Sequence, residues 1–185
     1  LVRSATLSNL GPARVPLSLL DGLRNLLPSG APLALYQQSS CLVDAYKRAD
    51  CDPQTRLATF SLTARILDRA EAAEELHAST AWCHGLNNFE VHLSLAAIAA
   101  FRNGNPVPAE RLLTGRRGNY LVTSSLTLEP GVSVRWHIAA DVGRSHIQVA
   151  ALRARLLAGE DLERAIERSL DEAARPWGAN IKIVE

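Results

Sequence analysis

Apolar and polar residues alternate with a period of two through most of the first three-quarters of the chain. Between residues 57 and 67, Ala58, Phe60, Leu62, Ala64 and Ile66 fall on one side, and Thr59, Ser61, Thr63 and Arg65 on the other. That is the pattern of a strand with one face buried. Phe89, Val91, Leu93 and Leu95 alternate in the same way with Glu90, His92 and Ser94. Residues 2–10 and 15–20 flank Asn9-Leu10-Gly11-Pro12, where glycine and proline punctuate a turn, and the two are expected to pair as a hairpin. A second hairpin is expected from residues 120–128 and 133–141, joined by Glu129-Pro130-Gly131-Val132. Proline fixes φ and glycine accepts positive φ, as the central positions of a type II turn require. Beyond that turn Val134, Trp136, Ile138 and Ala140 share one face, opposite Ser133, Arg135, His137 and Ala139. Two layers of sheet built this way require Phe60, Leu93 and Trp136 to share one interior.

After Asp141 the period changes. Ile147, Ala150, Ala151, Ala154 and Leu157 recur at helical spacing, with Ser145 placed as N-cap and Gly159 as terminator. A second helix is predicted from Leu162, Ala165, Ile166, Ser169, Leu170 and Ala173, with Asp161 near its start and Pro176 and Gly178 at its end. Strands followed by helices exclude a βαβ parallel sheet. The expected fold is mainly β: an antiparallel β-sandwich over residues 1–143, followed by two C-terminal helices over 144–185. Three stretches fit no single template. Residues 20–27 suit a strand or a turn of helix, 37–48 suit neither, and 103–119 form a loop in which 110–113 suit one helical turn.

The composition is that of an ordinary folded domain: 185 residues, 47% hydrophobic, 21% charged and a formal net charge of +1. So small a charge, with scattered arginines, argues against a nucleic-acid partner. No apolar run is long enough to span a bilayer, and Leu1-Val2-Arg3-Ser4 lacks a signal-peptide layout. There is no methionine, and Leu1 opens directly into an alternating segment, so the chain is expected to be an internal piece of a longer polypeptide. Cys41, Cys51 and Cys83 form no C-x-x-C pair, against a zinc ribbon and a disulfide framework. A Cys41–Cys51 bridge suits an oxidising compartment, while packing as small apolar groups is the plainer expectation.

Few residues suggest chemistry. His77, His84, His92, His137 and His146 make no H-x-H or H-E-x-x-H motif. His92 and His137 are candidates to meet across a sheet, but solvated or hydrogen-bonded histidines are the expectation and no metal ligand is assigned. There is no G-x-S-x-G elbow, and Cys83 and His84, adjacent on a strand, point to opposite faces. Asp68, Glu71, Glu74 and Glu75 are the densest acidic cluster and read as a solvated loop rather than a glycosidase pair. Gly115-Arg116-Arg117-Gly118 has the make-up of an anion-binding nest with two guanidinium forks, against the plainer reading of a surface turn. Trp82 is balanced between a sugar-stacking platform and packing, Trp136 is expected in the core, and Trp177 anchors the exit of the last helix. Neither a catalytic residue nor a cofactor is assigned.

Several segments taken together do resemble a known group. They are Val2-Arg3-Ser4-Ala5-Thr6-Leu7-Ser8-Asn9-Leu10-Gly11, Leu19-Leu20-Asp21-Gly22-Leu23, and Leu126-Thr127-Leu128-Glu129-Pro130-Gly131 running on to Trp136-His137-Ile138-Ala139-Ala140-Asp141. They are similar to the N-terminal β-sandwich, or supersandwich, of cellobiose phosphorylase and cyclic β-1,2-glucan processing relatives, glycoside hydrolase family ninety-four in the broad sense. The resemblance implies linker helices over 145–174 and an (α/α)₆-barrel catalytic domain in the same polypeptide as partner. Catalytic groups would belong to that barrel, and this chain would be a non-catalytic domain that packs on it or shapes its entrance. The alternatives are a self-sufficient carbohydrate-binding module using Trp82, His84, Arg116 and Arg117, or a homodimerisation module. The arginine-, alanine- and leucine-rich composition suggests a bacterial source, and the cytoplasm is the expected location.

Overall fold

The structure, a computed structural model, describes residues 1–30, 33–64, 76–107 and 109–180, with side chains described as far as residue 172. The described chain is mainly β, and its strands divide between two antiparallel sheets. The larger sheet has the order β1 (Val2–Ser8), β9 (Ser133–Ser145), β5 (His77–His84), β4 (Ala58–Leu62), β3 (Lys47–Cys51), β7 (Leu112–Thr114). The smaller has the order β2 (Val15–Leu26), β8 (Gly118–Leu128), β6 (Phe89–His92). The helices are α1 (Leu33–Gln38), α2 (Ser40–Tyr46), α3 (Ala96–Arg102), α4 (His146–Leu157) and α5 (Glu163–Asn180).

Neither expected hairpin forms. β1 pairs with β9, from Val2↔Ala139 to Ser8↔Ser133, and β2 pairs with β8, from Val15↔Leu128 inward. Each expected hairpin therefore has one arm in each sheet. The four strands make one antiparallel ribbon that folds over at a corner, where the two turns bond to one another. Asn9 N–H donates to the Val132 carbonyl at 3.0 Å, and Gly131 N–H donates to the Asn9 carbonyl at 2.9 Å. The Asn9 amide, 7% exposed, donates to the carbonyls of Ala13 (2.8 Å) and Leu128 (2.9 Å) and accepts from Gly11 N–H (3.0 Å). Its buried polar atoms are thus all partnered, as burial demands.

The turn chemistry itself is as expected. Gly131 sits at φ +74°, and Val132 N–H closes the turn on the Glu129 carbonyl at 3.1 Å. The difference lies in the paths of the two arms beyond the turn. A flat hairpin would set the apolar sides of β8 and β9 next to each other on one face. Folding over makes them face each other, so that Tyr120 and Val122 meet Trp136 and Ile138 in one interior.

That interior holds Phe60, Leu93 and Trp136 together, as the alternating pattern requires, and it draws on both sheets. β4 shows why the pattern works: Ala58, Phe60 and Leu62 are buried, while Thr59 and Ser61 between them are only partly so. Polar atoms carried inward find partners. Tyr120 Oη donates to the Arg56 carbonyl at 2.9 Å, and Trp136 Nε1 donates to Asp21 Oδ2 at 2.9 Å. Asp21 Oδ1 accepts from Arg3 Nε at 2.8 Å. Cys51 and Cys83 pack here as small apolar groups, and all three thiols are free.

β5 and β9 behave differently, because four consecutive residues of β9, Trp136–Ala139, and six of β5, Ala78–Cys83, are buried. Their second face is covered by a helical layer. Trp82 and Ala139 pack there with Leu57, Leu152 of α4, and Leu162 and Ile166 at the start of α5. Ser145 caps α4 in a capping box with Gln148, and Gly159 follows at φ +63°.

The inward face of α4 corrects the expected one. Val149, Leu152 and Leu156 point to the sheet, while Ile147 is 82% exposed. Both sets have helical spacing, and an alanine-rich helix gives the pattern too little contrast to choose between them.

The three stretches that fit no single template take definite forms in the fold. Residues 20–26 take the strand alternative and continue β2, 40–46 form α2, and 112–114 form β7 at a sheet edge rather than a helical turn. α5 runs through Pro176 and Gly178 to Asn180, since a proline removes one backbone donor without ending every helix. The strand expected over 57–67 is shorter than its pattern: β4 ends at Leu62, residues 63 and 64 bend away, and 65–67 lie outside the described residues. Asp68, Glu71, Glu74 and Glu75 lie outside the described residues, as does the Trp177 side chain.

Candidate functional site

The pairing of β5 with β9 sets His84 opposite His137, so the two imidazoles stand side by side on the helix-facing side of the sheet. Gly85 helps fix this approach. It has φ +89°, and a Cβ there would lie 2.5 Å from the Arg135 carbonyl oxygen, so only glycine lets the chain leave β5 this close to β9. The joint between α4 and α5 arrives over the same spot. Asp161 Oδ1 accepts from Glu163 N–H at 3.1 Å, which opens α5 with both carboxylates over the sheet. One ligand atom each from His84, Asp161 and Glu163 lie within 4.8 Å of one another.

His137 adjoins the group at Glu163. Its side chain is 2% exposed, Nδ1 is 2.7 Å from Ser4 Oγ, and Nε2 is 3.9 Å from Glu163 Oε1. Nε2 is buried without a hydrogen-bond partner. Burial lowers the proton affinity of this imidazole, with Arg135 and His84 adding to the effect and Glu163 and Glu167 opposing it. Its neutral form, with one nitrogen lone pair available, is accordingly favoured.

The candidate sugar-binding residues do not assemble into one site. Trp82 is 8% exposed and packs against the helical layer. It contributes to a cavity of about 300 Å³ with Leu1, Asp141, Arg144 and Arg155, to which neither Arg116 nor Arg117 contributes. Its indole packs against the helical layer and presents only its remaining edge to that cavity. His84 lies two residues further along the same side of β5, within the histidine–carboxylate group. Arg116 and Arg117 sit in the exposed loop after β7, three strands away in the sheet order. In that loop Gly115 N–H donates to the Lys47 carbonyl at 2.9 Å, and Arg117 Nε lies 3.7 Å from Asp44 Oδ2. One donor and one guanidinium of the expected nest are therefore already engaged within the protein.

The remaining reactive groups are built into the fold. Burial pushes the Cys51 thiol up to about 11, with the Asp52 charge adding to it, and pushes Cys83 up to about 12, with Asp21 adding. Neither is an activated nucleophile, and Cys83 faces the interior while His84 faces the helices. His92 does not meet His137: it lies on β6 of the other sheet, with Nε2 2.8 Å from Thr123 Oγ1.

That contact borders a cleft of about 510 Å³ on the outer side of the smaller sheet. Ser18, Thr123, Ser125 and Glu90 contribute polar groups to it, and Phe101 and Pro106 contribute apolar ones. Among the described residues, no helix is long and apolar enough to cross a membrane.

Of the site residues, His84 and His137 were visible in the sequence as isolated histidines. Asp161 was visible only as a helix start, and Glu163 carried no signal. The one local hint was parity: His84 sits opposite the inward Cys83, and His137 sits between the inward Trp136 and Ile138. Both therefore had to occupy the other face. We found no match to any protein-family model, nor to any curated protein.

Proposed function

We propose that this chain is a non-catalytic, supersandwich-like β-sandwich domain of a larger carbohydrate-active protein of the glycoside phosphorylase or hydrolase type. Its helices would lead toward an (α/α)₆-barrel catalytic domain. One observation carries the reading. The segments that bear the resemblance, 2–11, 19–23, 126–131 and 136–141, are remote in sequence yet lie together along the folded ribbon and its corner. Their proximity supports reading them as parts of one structural unit, as a shared sandwich architecture would require. The free thiols suit a reducing cytoplasm.

The test is to incubate the purified chain with cellobiose and with cyclic β-1,2-glucan, with and without inorganic phosphate. The expected result is no sugar phosphate and no new reducing ends. Turnover by the chain alone, abolished by a point substitution in it, overturns the proposal.

A second reading is a carbohydrate-binding module, favoured by the hydroxyl-bearing cleft on the smaller sheet rather than by Trp82. Hydroxyl and carboxylate groups beside an apolar wall suit a sugar's edge and face. Titration of the chain with oligosaccharides, repeated with Thr123→Trp to fill the cleft, tests it. Binding lost in the variant supports the module, and binding unchanged in the variant removes it.

A further inference from the structure

We propose that His84, His137, Asp161 and Glu163 form a binding site for a zinc-class divalent cation that fastens the α4–α5 joint to the β5–β9 pair. The site is independent of any glycan chemistry and draws four side chains from three separate parts of the chain. Three of them already place ligand atoms within 4.8 Å of one another. Ligands about 2.0–2.2 Å from a tetrahedral ion stand about 3.5 Å apart, so about 1 Å of closure is needed among these three; His137 lies outside that trio and adjoins it through Glu163, with Nε2 3.9 Å from Oε1. Exposed Asp161 and partly exposed Glu163, on the joint between helices, can supply it while the two histidines stay fixed by the sheet register.

The second, independent observation is His137. A buried nitrogen without a partner is costly, and Nε2 of this 2%-exposed side chain lies 3.9 Å from Glu163 Oε1, too far for a hydrogen bond. In the tautomer protonated at Nδ1, that nitrogen donates to Ser4 Oγ at 2.7 Å and leaves the Nε2 lone pair on the side of Glu163. That is the arrangement in which an outer hydrogen bond fixes a ligating histidine's tautomer.

The donor set selects the ion. Two imidazoles with two carboxylates suit zinc and its neighbours in the first transition row, whereas magnesium and calcium prefer oxygen-only shells. Four protein ligands leave no open position, so the ion's role is structural: it ties a helical joint to a sheet and neutralises two carboxylates set over one buried and one half-buried imidazole.

The experiment is calorimetric titration of the whole chain with zinc chloride, alongside thermal unfolding with and without zinc. Cobalt(II) serves as the spectroscopic probe of coordination. The substitutions are Asp161→Asn and Glu163→Gln, which preserve size and the cap on α5, with circular dichroism to confirm that each folds. The expected results are one zinc per chain, a raised unfolding midpoint, a tetrahedral cobalt spectrum, and affinity lowered about tenfold or more in each variant. Magnesium should leave the midpoint unchanged. Absence of stoichiometric zinc binding overturns the proposal, and so does binding that is equally tight in both folded variants.

Discussion

The cluster between the two sheets and the cluster beneath the helices are both apolar, yet they differ in how completely they are closed. The inner one is assembled by both sheets, and its intruding polar atoms, Tyr120 Oη and Trp136 Nε1, each reach an acceptor. The outer one is smaller and joins only the β5–β9 face to α4, α5 and their surroundings. The buried side-chain atoms without hydrogen-bond partners among the described residues, Thr80 Oγ1, His137 Nε2 and Arg144 Nε, lie on those same two strands. An interior that only holds a fold together tends to satisfy its polar groups. Each atom left unsatisfied calls for a partner, and for His137 Nε2 the proposed cation supplies one.

The sharpest way to break this comparison is to open the inner cluster. Trp136→Ala is expected to cost about 3–5 kcal/mol, by leaving a cavity and stranding an Asp21 oxygen. Chemical denaturation measures this, and a loss under about 1 kcal/mol would mean that the inner cluster does not dominate stability.

Opening the outer cluster comes next. Leu152→Ala is expected to cost about 2–3 kcal/mol and to speed amide exchange in α4 and α5 while the β2–β8 ladder stays protected. Uniform acceleration along the whole chain would show instead that the clusters unfold as one unit.

The smallest effect concerns the polar fastening of α4. Arg153 Nε donates to Asp52 Oδ2, and its Nη2 donates to Gln54 Oε1 at 2.7 Å. Burial alone would raise the Asp52 carboxyl, but hydrogen bonds from Gln54 N–H and Arg153 outweigh it and hold it below the usual carboxylate range. Because the folded value is depressed, the stabilisation is complete above the ordinary carboxylate value and disappears as pH falls through the folded one. The guanidinium is 43% exposed, so Arg153→Ala should cost under about 1 kcal/mol at neutral pH. The gap between variant and parent should close in acid. A gap that persists at low pH would assign Arg153's contribution to packing.

How far these features could be read in the sequence depends on where the controlling contacts lie. β4 was legible because one covered face imposes a period of two, and α4 because Ser145 and Gly159 mark its ends; β6 was legible only as far as His92, for its expected continuation to Leu95 gives way to the start of α3 and His92 itself is buried. The Glu129–Val132 turn was legible from its own residues, but the sheet that each arm joins was not. Turn chemistry fixes only a local reversal, and pairing was decided by strands more than a hundred residues away. The same limit hid the histidine–carboxylate group. It needs the β5–β9 register and the docking of α5 at once, and the two covered faces of β5 erase the alternation that would have marked that strand clearly.

The interlocked corner at Asn9 and Gly131 also bears on how the protein is made. During synthesis β1 and β2 emerge first and must wait for β8 and β9 before either can complete a ladder. Ordering therefore comes late, and the opening strands stay exposed to mispairing while the middle of the chain is translated. A chain stopped just short of β8 would leave its earliest strands with no native neighbour at all.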